Sequence, residues 1–306
     1  MSTAATQSPI VVAVDGSPES DSAVAWAARE GALRDAEVAL WHVISPVLVT
    51  VPVEPMFNAP EFYEQSARHI LEQAEKTVHW SWAGSGAVKV RTVTAHAAVV
   101  PALVEASETA QLVVVGTRGR GRLARLLLGS VSSGLLHRAH CPVAVLHAEA
   151  DTHEPNGPVV VGIDGSEACE AATGLAFDEA SRRDVELIAV HAWSDVGVDL
   201  MVDVDWHEYR DEGRALLTER LAGWQDRYPD VRVQQRVVCD EPAYWLTEEA
   251  RRAQLVVVGS RGRGGFAEML LGSTSSAVAQ SSPAPVIVMR GRAAIPNDAA
   301  NPNHVS

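Results

Sequence analysis

Short apolar runs alternate with helix-like segments along the first half of the chain. The runs IVVAVD, EVALWHV, VKVRTV, LVVVG and PVAVLH are rich in valine and show little alternation between apolar and polar positions. This is typical of parallel strands that are covered on both faces. Four segments with helical periodicity separate the runs, and the first begins at Ser17-Pro18, a pair that favours a helix start. The pattern predicts an α/β fold with five strands and four helices.

The same pattern occurs a second time. PIVVAVDGSPES at 9–20 aligns with PVVVGIDGSEAC at 158–169, and QLVVVGTRGRG at 111–121 aligns with QLVVVGSRGRG at 254–264. A chain of 306 residues is also long enough for about two domains. We therefore predict a first domain at 1–150, a second domain at 151–292 and a disordered tail at 293–306.

In each predicted domain, right-handed crossovers give a doubly wound, five-stranded parallel sheet with helices on both faces and strand order 3-2-1-4-5. Ligands of such sheets bind outside the carboxyl ends of the strands, where the winding reverses. The reversal lies between the first and fourth strands. The segments VAVDGS and LVVVGTRGRG are therefore expected to lie side by side at a ligand crevice.

The last strand of each half, within CPVAVLH and APVIVMR, lies at an edge of its predicted sheet. Exposed apolar edges tend to pair with one another. We expect the two halves to pair along these edges. The result would be a monomer with pseudo-twofold symmetry, or a homodimer if two chains associate.

A loop rich in glycine and arginine follows the fourth strand in both halves, GTRGRGRLARLLLGS at 116–130 and GSRGRGGFAEMLLGS at 259–273. Its glycines let the main chain approach a ligand closely, and consecutive N–H groups in such turns bind anions. The Gly-Ser pair at its end begins a helix whose first N–H groups favour phosphate. Two anion sites in one loop indicate a polyphosphate ligand. The alternative is a solvated connection whose arginines face water, with Ser130 as a helix N-cap.

Asp15 and Asp164 end the first strand of each half and precede Gly-Ser. Asp-Gly is a common turn dipeptide, so a turn aspartate is one interpretation. The predicted position beside the glycine-rich loop favours the other, a contact with the sugar or base of a ligand.

Composition narrows the function classes. The net charge of −14, from 39 acidic and 25 basic residues, opposes long-range attraction to nucleic acid or anionic lipid. The sequence contains no run of 18 apolar residues and no signal-peptide pattern at its start. Its three cysteines form no C-x-x-C pair, which favours a reducing compartment. A cytoplasmic protein without a membrane span or a nucleic-acid partner is expected.

With these loops, the sequence resembles the universal stress protein family in its ATP-binding branch, and in particular the tandem form of mycobacteria and related actinobacteria. The family fingerprint is G-2x-G-9x-G-[ST]. It stands here as Gly116, Gly119 and Gly129-Ser130, and again as Gly259, Gly262 and Gly272-Ser273. The resemblance covers nearly the whole chain.

The resemblance implies a loop that wraps the triphosphate of ATP, usually with a divalent metal such as Mg²⁺ or Mn²⁺. It places Asp15 and Val43 at the adenosine end, Val43 through its main chain. In the second half the matching positions are Asp164 and Ala192. Ala192 and Thr274 stand where the family pattern has valine, and both are mild departures.

The candidate ligand contacts comprise the strand ends, the loops and the helix starts of both halves. In the first half they are Ala13, Asp15, Val43, Gly116, Thr117, Arg118, Gly119, Arg120, Gly121, Arg122, Arg125, Gly129, Ser130 and Val131. In the second half they are Gly162, Asp164, Ala192, Gly259, Ser260, Arg261, Gly262, Arg263, Gly264, Gly265, Gly272, Ser273 and Thr274.

Two functions of different classes remain. The first, implied by the resemblance, is an ATP-binding stress-response regulator that acts through conformation or through unknown protein partners. The second is a slow ATPase or phosphotransferase. The sequence contains no GxxxxGK[ST] P-loop and no recognisable Ser-His-Asp set, and no catalytic residue or metal ligand is predicted from it. If the protein hydrolyses ATP, His42 and His191, at equivalent strand ends, are the candidates for the general base.

Overall fold

The computed structural model describes residues 7–46, 59–82, 87–119, 128–148, 156–192, 206–262 and 271–290. Within these ranges the first half contains β1 (Ile10–Ala13), α1 (Pro18–Leu33), β2 (Val38–Ile44), α2 (Ala59–Ser81), β3 (Val90–His96), α3 (Val99–Ala106), β4 (Leu112–Gly116), α4 (Ser130–Arg138) and β5 (Val143–Leu146). The second half contains β6 (Val159–Gly162), α5 (Glu167–Arg183), β7 (Leu187–Ala192), α6 (Trp206–Arg227), β8 (Val233–Val238), α7 (Pro242–Ala250), β9 (Leu255–Gly259), α8 (Ser273–Ser281) and β10 (Val286–Met289). The tail predicted to be disordered lies outside the described residues.

Each half has the predicted fold. The strand order is β3-β2-β1-β4-β5 in the first half and β8-β7-β6-β9-β10 in the second, with parallel pairing within each half. Strands β1 and β4 are neighbours, as are β6 and β9. The doubly wound parallel sheet and the position of the winding reversal are therefore confirmed.

The two predicted edge strands pair with each other, and the described strands form one sheet of ten. β5 and β10 run antiparallel, with Ala144 opposite Ile287. These two residues occupy equivalent positions of the repeat, so the local twofold axis passes between them. The expectation that the halves join along these edges is confirmed.

Helices cover both faces of the sheet across this joint. One apolar core contains buried residues of α1, α2, α5 and α6, and the other contains buried residues of α3, α4, α7 and α8. The strands contribute alternate residues to the two cores: Val12 and Val114 to one, Val11 and Val113 to the other. Each core extends through both halves, which explains the apolar character of the central strands.

A closed ring of four charged side chains joins α1 to α5 beside the same axis. Glu30 pairs with Arg34 on α1, Glu179 pairs with Arg183 on α5, and Arg34–Glu179 and Arg183–Glu30 connect the two helices. All four side chains are at most 9% exposed. The two neighbouring guanidinium groups hold the pKa of the buried Glu30 carboxyl below its ordinary value. The ring thus carries alternating charges with no excess of either sign.

No helix in the described ranges has the length and apolarity to cross a lipid bilayer. Cys141 and Cys169 are buried free thiols, and burial raises the pKa of Cys141 to about 12. Burial also raises the pKa of Cys169. Both thiols are protonated at neutral pH and therefore poorly nucleophilic.

Candidate functional site

The ends of β1 and β4 form the floor of a crevice in the first half. After β1 the chain turns at Asp15 and Gly16, and Gly16 has a φ of +76°, a conformation that favours glycine. Ser17 then caps α1, because its hydroxyl accepts a hydrogen bond from the Ser20 amide at 3.2 Å. The second half repeats the turn, with Gly165 at a φ of +82° and Ser166 as the cap of α5.

Asp15 lies between this turn and the glycine-rich loop. Its Oδ1 accepts hydrogen bonds from the Ser17 amide at 3.0 Å and the Ser17 hydroxyl at 2.6 Å. Its Oδ2 faces Gly119 so closely that a Cβ atom on this glycine would lie within 3.0 Å of it. The two interpretations of Asp15 are therefore compatible, since one oxygen stabilises the turn while the other lies against the loop.

Asp164 repeats this arrangement in the second half. Its Oδ1 accepts a hydrogen bond from the Ser166 amide at 2.9 Å, and a Cβ atom on Gly262 would lie 2.6 Å from its Oδ2. The carboxylate and the main chain of the glycine thus approach each other in both crevices. A side chain at either glycine would separate them.

The glycine-serine pair begins a helix in both halves, as predicted. Gly129 is the N-cap of α4 and Gly272 is the N-cap of α8, and no side chain caps either helix. Ser130 and Ser273 are the first helical residues, and both are exposed. The interpretation of Ser130 as the N-cap is wrong. First-turn N–H groups that lack a side-chain cap are an established binding site for anions.

Main-chain contacts fix each helix start against the end of the fourth strand. The Gly129 amide donates to the Thr117 carbonyl at 2.7 Å, and the Gly272 amide donates to the Ser260 carbonyl at the same distance. Ser132 and Ser275 donate from their hydroxyls to these carbonyls at 3.0 and 3.3 Å. The anion-binding end of the helix is therefore held beside the strand end.

Thr117 and Ser260 are almost fully buried, at 0% and 2% exposure. The Thr117 amide donates to Leu146 and the Ser260 amide donates to Met289, both at 2.7 Å. These two predicted contacts use their main-chain groups within the protein, where they attach the loop to the neighbouring strand. Their side chains lie in the core rather than at the surface of the crevice.

Four further candidates, two of which (Val43 and Ala192) were predicted for the adenosine end, lie at the ends of adjacent strands. Val43 is near the end of β2, Ala13 ends β1, and both are half-buried. Ala192 ends β7 and Gly162 ends β6 in the same arrangement. Val131 and Thr274 are half-buried at the second position of their helices. The structure thus groups the candidates of each half at the carboxyl ends of that half's strands, with Asp15 in the first half and with Asp164 in the second.

Seven candidates fall outside the described residues. They are Arg120, Gly121, Arg122, Arg125, Arg263, Gly264 and Gly265. Arg118 and Arg261, the described arginines of the two loops, are exposed.

His42 and His191 take equivalent structural positions. The Nδ1 of His42 lies 2.7 Å from the Val14 carbonyl, and the Nδ1 of His191 lies 2.7 Å from the Ile163 carbonyl. Each imidazole therefore fastens the second strand of its half to the residue that follows the first strand. His191 is 3% exposed, which restricts its access to a water or a ligand.

Two residues beside the first crevice were missed by sequence reasoning. Glu19, on the first turn of α1, lies with its Oε1 3.3 Å from the Arg118 Nε. The signal for it was the difference between VDGSPES and IDGSEAC, in which Ala168 replaces Glu19. His147 follows β5, with its Nδ1 3.4 Å from the Thr117 hydroxyl. Burial lowers the pKa of His147 from its ordinary value of 6.5, and no pattern in the sequence indicated this contact.

Comparison with known proteins gives consistent results at three levels. The model of the universal stress protein family matches residues 8–147 and again residues 155–290. A universal stress protein of Mycolicibacterium smegmatis is 54% identical over 290 residues, covering 94% of this chain and 99% of that protein. One from Mycobacterium tuberculosis is 48% identical over 286 residues, with 92% and 96% coverage.

Among solved structures, a universal stress protein from Archaeoglobus fulgidus superposes with a TM-score of 0.70 at 20% identity, over 94% of this chain and 99% of that one. This likeness supports the fold alone. The two family matches and the identity to the mycobacterial relatives extend over nearly the full length. The chain belongs to the universal stress protein family, in a tandem form with two repeats.

Proposed function

We propose that this protein binds ATP, one molecule in each crevice, and acts as a stress-response regulator whose nucleotide occupancy controls its conformation or its contacts with protein partners. The observation that carries the proposal is the duplicated crevice. In both halves a strand-end aspartate, a closely approaching glycine and an uncapped helix start occupy the same edge of the sheet.

The adenosine would lie at the ends of β1 and β2, near Asp15 and Val43. A carboxylate oxygen can accept hydrogen bonds from a ribose hydroxyl or a base amine. The phosphates would extend along the loop from Gly119 to the start of α4. There the main-chain N–H groups and the helix dipole favour negative charge. The second crevice would hold its ligand through Asp164, Gly262 and α8.

A divalent metal would enter with the triphosphate. The described residues contain no group of three or more histidine, cysteine or acidic side chains placed to hold a metal by themselves. This fits Mg²⁺, which keeps several waters and is commonly bound through substrate phosphates with few protein ligands. The hydroxyls of Ser130 and Ser273, exposed at the helix starts, are the groups that would face the metal-phosphate unit.

In the second half, the burial of His191 favours a regulatory role over turnover. Hydrolysis of ATP requires a group that orients or deprotonates the attacking water. The Nδ1 atoms of His42 and His191 both lie at hydrogen-bonding distance from strand carbonyls, and His191 is buried. The class of partner and the assembly follow from other features. The acidic net charge of −14 favours partners other than nucleic acid.

We propose a pseudo-twofold monomer that can associate into a homodimer.

The matched substitutions Gly119→Ala and Gly262→Ala test nucleotide binding in each crevice. Each added Cβ would collide with the carboxylate of Asp15 or Asp164. We expect two nucleotides per chain in the unmodified protein, one in each single variant and none in the double variant, with at least a tenfold loss of affinity at the altered crevice. Native mass spectrometry and isothermal titration measure this, and circular dichroism checks the fold. Unchanged stoichiometry in a folded double variant would contradict the proposal.

Regulation and slow turnover are separated by the fate of the bound nucleotide. Purified protein loaded with ATP and Mg²⁺ is expected to retain triphosphate after hours at 25 °C. Steady release of phosphate that is absent from the double glycine variant would instead support the slow ATPase.

A further inference from the structure

The two crevices differ in one acidic side chain at a position where their main chains are equivalent. A Cβ atom on Gly116 would lie 2.7 Å from the Cβ of Glu19, and a Cβ atom on Gly259 would lie 3.1 Å from the carbonyl carbon of Ala168. The equivalent residue of the first helix of each half, α1 or α5, therefore packs against the end of the fourth strand. It is acidic in the first half and apolar in the second.

Glu19 uses this position to pair with the crevice loop. Its carboxylate is 14% exposed and lies 3.3 Å from the Arg118 Nε, while Arg118 is 46% exposed. Glu19 is in the first turn of α1, where the helix dipole stabilises a negative charge. Arg118 therefore already has an anionic partner before any ligand arrives.

Arg261, the counterpart of Arg118, has no such partner among the described residues. Ala168 supplies no carboxylate. Burial and the positive charge of Arg261 lower the pKa of Arg290, so a second cation acts on this side of the loop. The first turn of α5 contains two acids. Glu167 stands in the position of Pro18, and Glu170 accepts a hydrogen bond from the Trp224 Nε1 at 2.8 Å. Among the side chains that the structure describes, the second loop therefore shows no counterpart of the Glu19–Arg118 pair.

A carboxylate that is paired with a loop arginine competes with an incoming phosphate for the same guanidinium. It also repels the phosphate, and the repulsion grows with the charge of the ligand. An uncharged ligand of the same crevice, such as adenosine, experiences neither effect. The expected consequence is discrimination by phosphate charge.

We propose that Glu19 is a specificity-determining residue of the first crevice. It competes with the ligand for Arg118 and weakens the binding of polyphosphates relative to uncharged nucleosides, whereas Ala168 at the equivalent position of the second crevice has no carboxylate to do so. The inference rests on the proposed nucleotide binding. It concerns the selection of ligands within each crevice and leaves the order of affinities between the two crevices open.

The test isolates one crevice at a time. In the Gly262→Ala background only the first crevice reports, and Glu19→Gln removes the charge while keeping the packing against Gly116. We expect the affinity for ATP to rise about threefold to tenfold at physiological salt, with the affinity for adenosine unchanged. Isothermal titration with ATP and with adenosine measures the two dissociation constants. The gain in ATP affinity should be smaller in high salt.

Two matched variants complete the design. Asp21→Asn removes a negative charge from the same helix start, where burial and Asp15 raise the pKa of the Asp21 carboxyl, without removing the partner of Arg118. Its effect on ATP is expected to be smaller than that of Glu19→Gln. In the Gly119→Ala background, Ala168→Glu should weaken ATP binding at the second crevice and spare adenosine, and Glu167→Gln reports the influence of the neighbouring acid.

The outcomes are distinct. If Glu19→Gln weakens ATP binding, Glu19 instead positions Arg118 to bind the phosphate. This result would refute the inference that Glu19 competes with the ligand. Equal changes for ATP and adenosine, or an equal gain from Asp21→Asn, would also overturn the inference while leaving nucleotide binding intact. If the unmodified protein takes up neither ATP nor adenosine, the proposed function fails and the inference fails with it.

Discussion

The two halves of this molecule share their main-chain geometry and differ in the charges placed on it. Gly16 and Gly165 adopt the same left-handed turn, and Asp15 and Asp164 lie against equivalent glycines. Yet the position of Glu19 holds Ala168, and the position of His147 after the last strand holds Arg290. The difference teaches that glycines and strand ends fix the shape of a crevice, whereas single side-chain substitutions can change the charge around it.

The joint between the halves behaves in the opposite way, because there the charges are duplicated. Glu30 and Arg34 on α1 have the same residue types as Glu179 and Arg183 on α5. Each pair is the partner of the other, so a change in one half would leave buried charges uncompensated in the other half. The crevices can diverge independently, whereas the joint cannot.

The largest effect is expected where the two halves depend on each other. Arg34→Met and Arg183→Met each remove one member of the buried ring and leave carboxylates underneutralised, at a cost of about 3–5 kcal/mol in the free energy of unfolding. Urea unfolding measures this cost. Equal decreases in the free energy of unfolding for the two variants would show that both halves contribute equally to the stability of the ring. The control Arg182→Met removes a more exposed pair with Asp178 and should cost about 1 kcal/mol or less. A loss as small as the control's in either ring variant would refute the role of the ring.

A smaller effect should separate the two crevices. Gly116→Ala puts a Cβ atom 2.7 Å from the Glu19 Cβ, closer than real contacts allow, whereas Gly259→Ala puts one 3.1 Å from Ala168. We expect the first substitution to lower the free energy of unfolding by about 1–3 kcal/mol and the second by less, since the first requires the larger shift of the helix. Thermal and urea unfolding of both variants measure the difference, and the reverse order would show that the helix starts are not equivalent.

The smallest effect concerns the residues that follow β5 and β10. Burial lowers the pKa of His147, so the unfolded chain binds the proton more readily than the folded protein. Stability should therefore fall as the pH falls from 6.5 through the folded value, and should be unaffected by this group above 6.5. His147→Gln is expected to lose less stability than the unmodified protein between pH 7.5 and 5.5. Arg290 stays charged over this range, so Arg290→Gln should leave the pH dependence unchanged.

Much of the fold followed from local patterns. The valine-rich runs predicted every strand of the first half in the right order. The run LVVVG coincides with β4, and the ends of the other strands are shifted by at most three residues, as for β3. The repeat then predicted the second half. The joint between β5 and β10 followed from the apolar edges, but its register, with Ala144 opposite Ile287, needed the three-dimensional pairing.

The site was predicted in part. The glycine spacing identified both loops and both helix starts, and the strand-end aspartates lie against the predicted glycines. Thr117 and Ser260 were chosen by their place in the loop, yet their side chains are buried in the core. Glu30 and Arg34, four residues apart on a helix, have the spacing of an ordinary surface pair, yet both are buried and both pair with charged residues of α5. Sequence periodicity contains no information about such long-range contacts.

The sequence by itself determined the order of strands and helices, the duplication, and the glycines and aspartates that shape the crevices, because these depend on local conformational preference and on residue spacing. The tertiary structure alone decided the ring of four charges, the Glu19–Arg118 pair and the contact of His147 with Thr117. These depend on which helix or strand lies beside another after the sheet has closed. Their energy comes from burial and from neighbouring charges, and both exist only in the folded chain.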